Sequence, residues 1–307
     1  MQFDCSVSVI MPCFNSSNFI RESVVSILGQ TFSDFELIIV DDGSSDNTIS
    51  EVMGISDRRI KLYQRTSHTG NYPCRNFGTA MAKGKYICVM DADDISEPDR
   101  LRKQWEFMEN HPEIGLAGTC GTLVDEVGIG TGKIDRVNSY ASLKVGLLGD
   151  NMVIHPSMFV RRFLLRKYRI AYNERYVYAA DYDFVVKCSR SFRVINMPDY
   201  LIRYRVHDKQ ISFTKAAEQL KYADRIRLNQ LKLFNAVLTD YEEDLYVRLM
   251  NGTGIVKDEL AACEILFNRL LRANLRRRLY DKTELNNYFY SVTLGAWAKA
   301  NILLDIR

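Results

Sequence analysis

No stretch of the 307-residue sequence holds the ~18 consecutive apolar residues that a membrane-spanning helix needs. The N-terminus lacks a basic region followed by a long apolar stretch, so no secretory leader is expected. An excess of one charge is missing too. The 41 Lys and Arg against 38 Asp and Glu leave a formal charge of +3, too small to argue for nucleic acid as a partner. The seven cysteines are odd in number and show no metal-ligand spacing. Cys5, Cys13, Cys88 and Cys188 lie in or beside apolar runs, where a reduced thiol behaves as a small hydrophobe, and a cytoplasmic protein is expected. Glycine is absent where two nucleotide-binding frameworks require it. The turn after the first apolar run reads PCFNSSN, which excludes a dinucleotide-binding Rossmann unit, and no GxxxxGK(S/T) phosphate loop occurs. The Gly-rich basic loop near the N-terminus that sugar-nucleotide synthesis would want is likewise missing, which disfavours a nucleotidyltransferase. There is no internal repeat and no low-complexity segment.

What is present is an ordinary globular composition, 47% hydrophobic and 26% charged. From about residue 5 to 120, short apolar runs alternate with amphipathic stretches, as in βαβ units around a parallel sheet. Strands are predicted over Ser6–Met11, Phe35–Val40, Ile60–Gln64 and Tyr86–Met90. Their nearly continuous apolar character fits burial on both faces. Ile20, Val24, Ile27 and Leu28 share one helical face, and a further helix is predicted through Asn76–Ala82. Short strands are expected at Met158–Val160 and Arg193–Asn196, with Tyr182–Ser189 helical. From Ala216 onward the text is helical on both sides of NGTG, and Asp281 with Glu284 marks the start of a last helix. The boundary is placed near 215, giving an α/β domain over 1–215 and a helical extension over 216–307.

In an open parallel sheet, ligands bind outside the carboxyl ends of the strands. Two clusters of carboxylates are predicted there: Asp41 and Asp42 after FELIIV, and Asp91, Asp93 and Asp94 after YICVM. Gathered carboxylates repel one another unless a cation or donor groups neutralise them. Hard oxygen ligands of this kind suit Mg²⁺ or Mn²⁺. The competing reading is that such aspartates cap helices and form turns. That reading is preferred for Ser44, Ser45, Asp46 and Asn47, which precede a helical segment over Thr48–Met53.

Together, VSVIMPCFNSSNFIRESVVSILGQTFSDFELIIVDDGSSDNT and CRNFGTAMAKGKYICVMDADDISEPDRL strongly resemble the family 2 glycosyltransferases. The likeness is dense over residues 6–105 and thinner to about 213. It implies a GT-A-type, Rossmann-like fold, α/β with a mixed, mainly parallel sheet and helices on both faces. It also implies an inverting, metal-dependent, hexosyltransferase-type enzyme using a nucleotide-sugar donor, with UDP the expected nucleotide. By this resemblance Pro12 shapes the nucleotide pocket, Asp41 contacts the base with Asp42 as a candidate beside it, and Arg75 reaches the nucleotide. Asp91 and Asp93 match the DxD motif, Asp93 as metal ligand and Asp91 toward the ribose or, through water, the metal. Asp181 is implied as the catalytic base, in a position where Ala180 replaces the family's usual acid. His207 matches a recurrent histidine that contacts the metal or diphosphate, with an ordinary surface residue as the alternative. For His155 a loop-positioning role is preferred.

The expected partners are a nucleotide-sugar donor and a saccharide or lipid-linked saccharide acceptor, of the kind used in bacterial surface polysaccharide or glycolipid synthesis. In the extension, Arg269, Arg272, Arg276, Arg277, Arg278 and Lys282 bunch beside Phe267, Tyr288, Phe289, Tyr290 and Trp297. This suits peripheral contact with an anionic membrane at its inner face, but a packed helical pair or a homodimer contact is the preferred explanation. The rival to catalysis is a non-catalytic sugar-nucleotide-binding or scaffolding protein on the same fold, which Ala180 leaves open.

Overall fold

The computed structural model describes residues 4–208 and 210–305. The apolar runs form β1 (Val7–Cys13), β2 (Phe35–Asp41), β3 (Ile60–Gln64) and β4 (Tyr86–Val89), joined by α1 (Ile20–Leu28), α2 (Thr48–Met53) and α3 (Asn71–Met81). The chain continues through β5 (Ile95–Ser96), α4 (Arg100–Asn110), β6 (Ile114–Val124), β7 (Gly130–Ile134), α5 (Tyr140–Gly146), β8 (Phe159–Arg161) and α6 (Arg162–Tyr168). Then follow α7 (Ala180–Ser191), β9 (Arg193–Arg205), α8 (Ile211–Thr214), α9 (Ala216–Leu231), α10 (Asp240–Asn251), α11 (Leu260–Arg277) and α12 (Lys282–Asp305).

One unit comprises the chain up to Asn138 together with Val153–Ala216. Its strands lie in the order β3-β2-β1-β4-β8-β6-β9-β5, with β7 paired to β6. The half made of β3, β2, β1 and β4 is wholly parallel, whereas β8 runs antiparallel to both β4 and β6. Val7, Val9 and Met11 face one side of the sheet and pack with Ile20, Val24 and Ile27 of α1. Burial on both faces explains why these strands read as continuous apolar runs. Two strands exceed the sequence expectation. Ile114–Val124 forms β6, and Arg193–Asn196 is only the start of β9, which runs on to Arg205 in parallel with β6.

Gly84 shows how tightly the parallel half is closed. A Cβ there would lie 2.5 Å from the Ser8 amide nitrogen and 2.7 Å from the Val7 carbonyl carbon, both main-chain atoms that cannot swing aside. Gly84→Ala is therefore expected to destabilise this unit by about 1–3 kcal/mol, the usual cost of overpacking, read from the urea midpoint. A midpoint equal to wild type would show that the start of β1 yields.

The second unit comprises Ser139–Met152 with the residues from Ala217 onward. Residues 139–152 were expected in the first domain, with the boundary near 215, but they belong to this second unit. Its turn is fixed by buried polar groups of the helices: Arg227 Nε donates to Gly149 O at 2.6 Å, Gln230 to Leu147 O at 2.6 Å and Tyr246 to Leu148 O at 3.0 Å. Val145 and Leu148 join a core with Leu245, Leu266, Phe267, Leu270 and Phe289. The start of α10 is a full capping box, Thr239 with Glu242, and Asp281 accepts from the Glu284 amide at 3.0 Å just before α12. Phe267 and Phe289, expected beside a basic patch, stack inside this core at 4.1 Å, while Arg276, Arg277 and Arg278 are exposed. No helix of the described residues is long and apolar enough to cross a membrane.

Candidate active site

Because β2, β1 and β4 are parallel neighbours, their carboxyl ends open on one edge of the sheet, and the loops that follow meet there. Pro12, expected to open the first loop, instead lies within β1, level with Val40 of β2. A missing N–H is tolerated at a strand's end, where the ladder is giving out.

After β2, the two carboxylates are both buried and both accept backbone donors. Asp41 takes the amides of Gly43 at 3.2 Å and Ser44 at 3.1 Å. Asp42 takes the Thr69 amide at 2.9 Å, the Thr69 hydroxyl at 2.8 Å and the Gly70 amide at 2.6 Å, with His68 Nδ1 at 2.8 Å. Burial pushes the Asp42 carboxyl up, but these hydrogen bonds outweigh it and hold the group below its ordinary range. Asp42 thus ties the loop before α3 to the end of β2. Exposed Phe14 packs against His68 beside it, ring centroids 4.0 Å apart and tilted by 32°.

After β4, ligand atoms of Asp91, Asp93 and Asp94 lie within 4.8 Å of one another. The loop's main chain is held from two sides. Ser23 of α1 donates to Ala92 O at 2.9 Å, and Arg205, at the end of β9, donates through Nε to Asp93 O at 2.7 Å. The Arg205 amide also donates to Asp94 Oδ1 at 2.8 Å. Arg205 is fully buried and reaches Glu22 of α1 as well. Burial raises the Asp94 carboxyl well above its ordinary range, and the charges of Asp93 and Asp91 raise it further. Burial also raises Asp91; Arg75 counteracts this, while Asp93 and Asp181 add to it. Asp94 Oδ2 is buried without a hydrogen-bond partner among the described residues. Crowded carboxylates with an orphaned oxygen are a donor set that a hard divalent cation fits. His207, two residues beyond β9, brings Nε2 to 3.1 Å from Asp93 Oδ2 and packs on Phe19 at 5.0 Å.

Arg75 is buried on α3 and paired with Asp91, so its charge is placed at the cluster rather than in open solvent. Asp181 occupies the second position of α7, where the helix dipole favours a carboxylate. Its Oδ1 accepts the Tyr72 hydroxyl at 3.0 Å. His155 lies next to this pair, its Nε2 3.0 Å from the Tyr172 hydroxyl. Burial holds its imidazole well below the usual range, with Arg75 adding to the effect, so it is neutral. The contacts therefore gather Arg75, Asp91, Asp93, Asp181 and His207 beside the carboxyl end of the sheet, while Asp41 and Asp42 shape the adjoining loop. Sequence reasoning missed Tyr72 and Arg205, neither of which carries a local signal; Asp94 was expected in the acidic cluster but given no separate role.

Residues 8–169 match the model of the glycosyl transferase family 2. An uncharacterised glycosyltransferase of Haemophilus influenzae is 31% identical over 238 residues, 74% of each chain. WfgD of Escherichia coli, a UDP-Glc:α-D-GlcNAc-diphosphoundecaprenol β-1,3-glucosyltransferase, is 40% identical over 105 residues, 34% of this chain and 42% of that one. Among solved structures, S. aureus TarS 1–349 in complex with UDP-GlcNAc superposes with a TM-score of 0.63 at 18% identity, over 96% of this chain and 89% of that one. The mannosyltransferase PcManGT of Pyrobaculum calidifontis, in complex with GDP-Man and Mn²⁺, gives 0.60 at 17% identity, over 98% and 90%. At these identities the structures establish a shared fold.

Proposed function

The chain belongs to glycosyl transferase family 2 and uses a nucleotide-sugar donor, and from that premise we propose that it moves a sugar from a UDP-sugar to a hydroxyl of a saccharide or lipid-linked saccharide, with inversion. The observation that carries the reading is the meeting of Asp181 with the carboxylates after β4. Helix α3 joins them: its Tyr72 hydroxyl donates to Asp181 at 3.0 Å, and Arg75, one turn further along the same helix, pairs with Asp91. A proton acceptor and a donor-binding cluster are thus tied to one helix beside the carboxyl end of the sheet. UDP is favoured over other nucleotides because TarS was solved with UDP-GlcNAc and WfgD is named for UDP-Glc. WfgD's lipid-diphosphate-linked acceptor likewise makes surface polysaccharide or glycolipid synthesis the setting we propose.

The reaction is a single displacement. The acceptor oxygen attacks the anomeric carbon as its bond to the diphosphate oxygen breaks, and the bonding pair leaves with the nucleoside diphosphate. The acceptor hydroxyl is a weak nucleophile, and Asp181 takes its proton as the new bond forms. Arg75 places fixed positive charge beside the leaving group, partly shared with Asp91. Asp41 offers an acceptor for a base N–H at the end of β2. Asp93 and His207, with Asp91 beside them, would hold Mn²⁺ or Mg²⁺, which when bound offsets the charge that develops on the diphosphate.

A thermal-shift screen of nucleotide sugars with and without Mn²⁺ tests the donor class. A UDP-sugar is expected to raise the melting temperature, since a ligand at a hundredfold excess over its Kd adds about 2.7 kcal/mol. The same mixture is expected to release UDP slowly, with water as acceptor. A shift without UDP release would identify a binding protein instead. A shift by GDP-sugars alone would overturn the choice of nucleotide.

A further inference from the structure

Ala180, beside Asp181, ends in a buried methyl group and brings no polar side chain to bear on the base. A different residue reaches that carboxylate. Tyr72, at the start of α3, is 109 positions away in sequence, and its hydroxyl donates to Asp181 Oδ1 at 3.0 Å. We propose that Tyr72 is a positioning residue for the base: its hydroxyl fixes the rotation of the Asp181 carboxylate and stabilises the charged form that accepts the acceptor's proton. The proposal rests on Asp181 being the base.

The hydroxyl is well placed because its ring cannot turn away. Tyr72 is only 8% exposed and stacks on Tyr172 at 5.5 Å and 23°. Tyr172 stacks in turn on Phe184 at 4.4 Å, and Phe184 is one turn along the helix that carries Asp181. The backbone of Tyr172 is clamped by Asn76, which donates to its carbonyl and accepts from its amide, each at 3.0 Å. Asn76 lies one turn after Tyr72 on α3, so donor and acceptor are locked to the same frame. The Tyr172 hydroxyl is itself held by His155. A hydrogen bond whose donor is already ordered costs little further entropy when the carboxylate engages it. Burial, together with the negative charge of Asp181, pushes the Tyr72 hydroxyl well above its ordinary range, so it remains a donor at every working pH.

The other titratable groups around Asp181 are known from their mutual influence. Asp91 and Tyr204 feel its charge from the β4 loop and from β9, and Tyr172 from the segment before α7. Arg75 is a cation beside them and acts on Tyr72, Tyr172 and Asp91. Tyr72→Phe alters none of these; it deletes one oxygen and keeps the stacked ring.

The test is UDP release from the UDP-sugar that stabilises the protein, either UDP-glucose or UDP-GlcNAc, with water as acceptor and Mn²⁺ present, followed against pH. A donor to a carboxylate favours the ionised form, so removing it makes the base hold its proton to higher pH. The acid limb of kcat is expected to move up by about one pH unit in Tyr72→Phe, consistent with the usual worth of a hydrogen bond to a charged group. At neutral pH kcat is expected to fall several-fold, with KM for the donor unchanged. Fluorotyrosine at position 72, a stronger donor of the same shape, is expected to move the limb the opposite way, and it serves if the phenylalanine variant does not fold. Superimposable profiles for both variants, or a change in KM alone, would overturn the proposal. An inactive Asp181→Asn alongside an unshifted Tyr72→Phe would remove the role of Tyr72 and leave the base in place. An active Asp181→Asn would remove the base and this inference with it.

Discussion

Asp181→Asn is expected to lower turnover by ~100-fold or more, the usual contribution of a positioned proton acceptor, while leaving UDP binding near wild type. The amide keeps the size of the side chain and can still accept the Tyr72 hydroxyl, but it cannot take a proton at neutral pH. A purely structural role predicts something different. A helix cap is the simplest structural role for an aspartate at such a position, and the structure removes it. The helix begins at Ala180 with Ala179 as its N-cap, and Asp181 is inside the first turn. There it contributes through the helix dipole, and neutralising it costs ~0.3–1 kcal/mol of stability with no effect on rate. Steady-state rates and a thermal melt on one preparation separate the two. A variant of wild-type activity with a slightly lower melting temperature would assign Asp181 to the helix alone.

The parallel half of the sheet was readable because its strands are buried on both faces. VSVIMPC, FELIIVD and YICV carry almost no polar residue to confuse the pattern. The carboxylates at its edge were readable for a related reason: a strand that ends abruptly in aspartates is chemically conspicuous. The other half hid itself. β6 is IGLAGTCGTLV, whose glycines weaken any strand signal, and it is fixed by pairing with β9 some 80 residues later. β9 carries Asp199, Arg203 and Arg205 from its midpoint on, so its second half reads as surface. Arg205 is nonetheless fully buried, because it satisfies the carbonyls of Asp93, Asp125 and Glu126 and meets the Glu22 carboxylate. Contacts of that kind are set by tertiary structure and leave no local periodicity. The same holds for Tyr72 and Asp181, and for the segment 139–152, whose backbone is held by groups from α9 and α10. Motifs announced the charged groups of the site. The residues that hold those groups in place were legible only in the fold.

Asp93→Ala is expected to abolish the part of UDP affinity that depends on Mn²⁺ and to lower turnover by ~100-fold or more, on the scale of losing a preorganised group that stabilises developing charge. The substitution is informative because the loop does not depend on this side chain for its shape. Arg205 grips the Asp93 carbonyl and Ser23 grips that of Ala92, and neither contact involves the carboxylate that is removed. Asp94 is a poor substitute for the experiment, since its carboxylate accepts the Arg205 amide, and alanine there would orphan a buried donor. Removing the Asp93 charge also relieves the repulsion that pushes Asp91 and Asp94 up, so the variant's apo form is expected to lose no stability near neutral pH. Calorimetric titration with UDP, run with Mn²⁺ and with EDTA, reads the effect. In wild type the two curves are expected to differ, and in Asp93→Ala they are expected to coincide with the wild-type EDTA curve. His207→Ala, which removes the group 3.1 Å from Asp93 Oδ2, is expected to weaken the Mn²⁺ dependence without erasing it. Equal Mn²⁺ dependence in wild type and Asp93→Ala would move the cation away from this carboxylate, and curves that coincide even in wild type would remove metal from donor binding altogether.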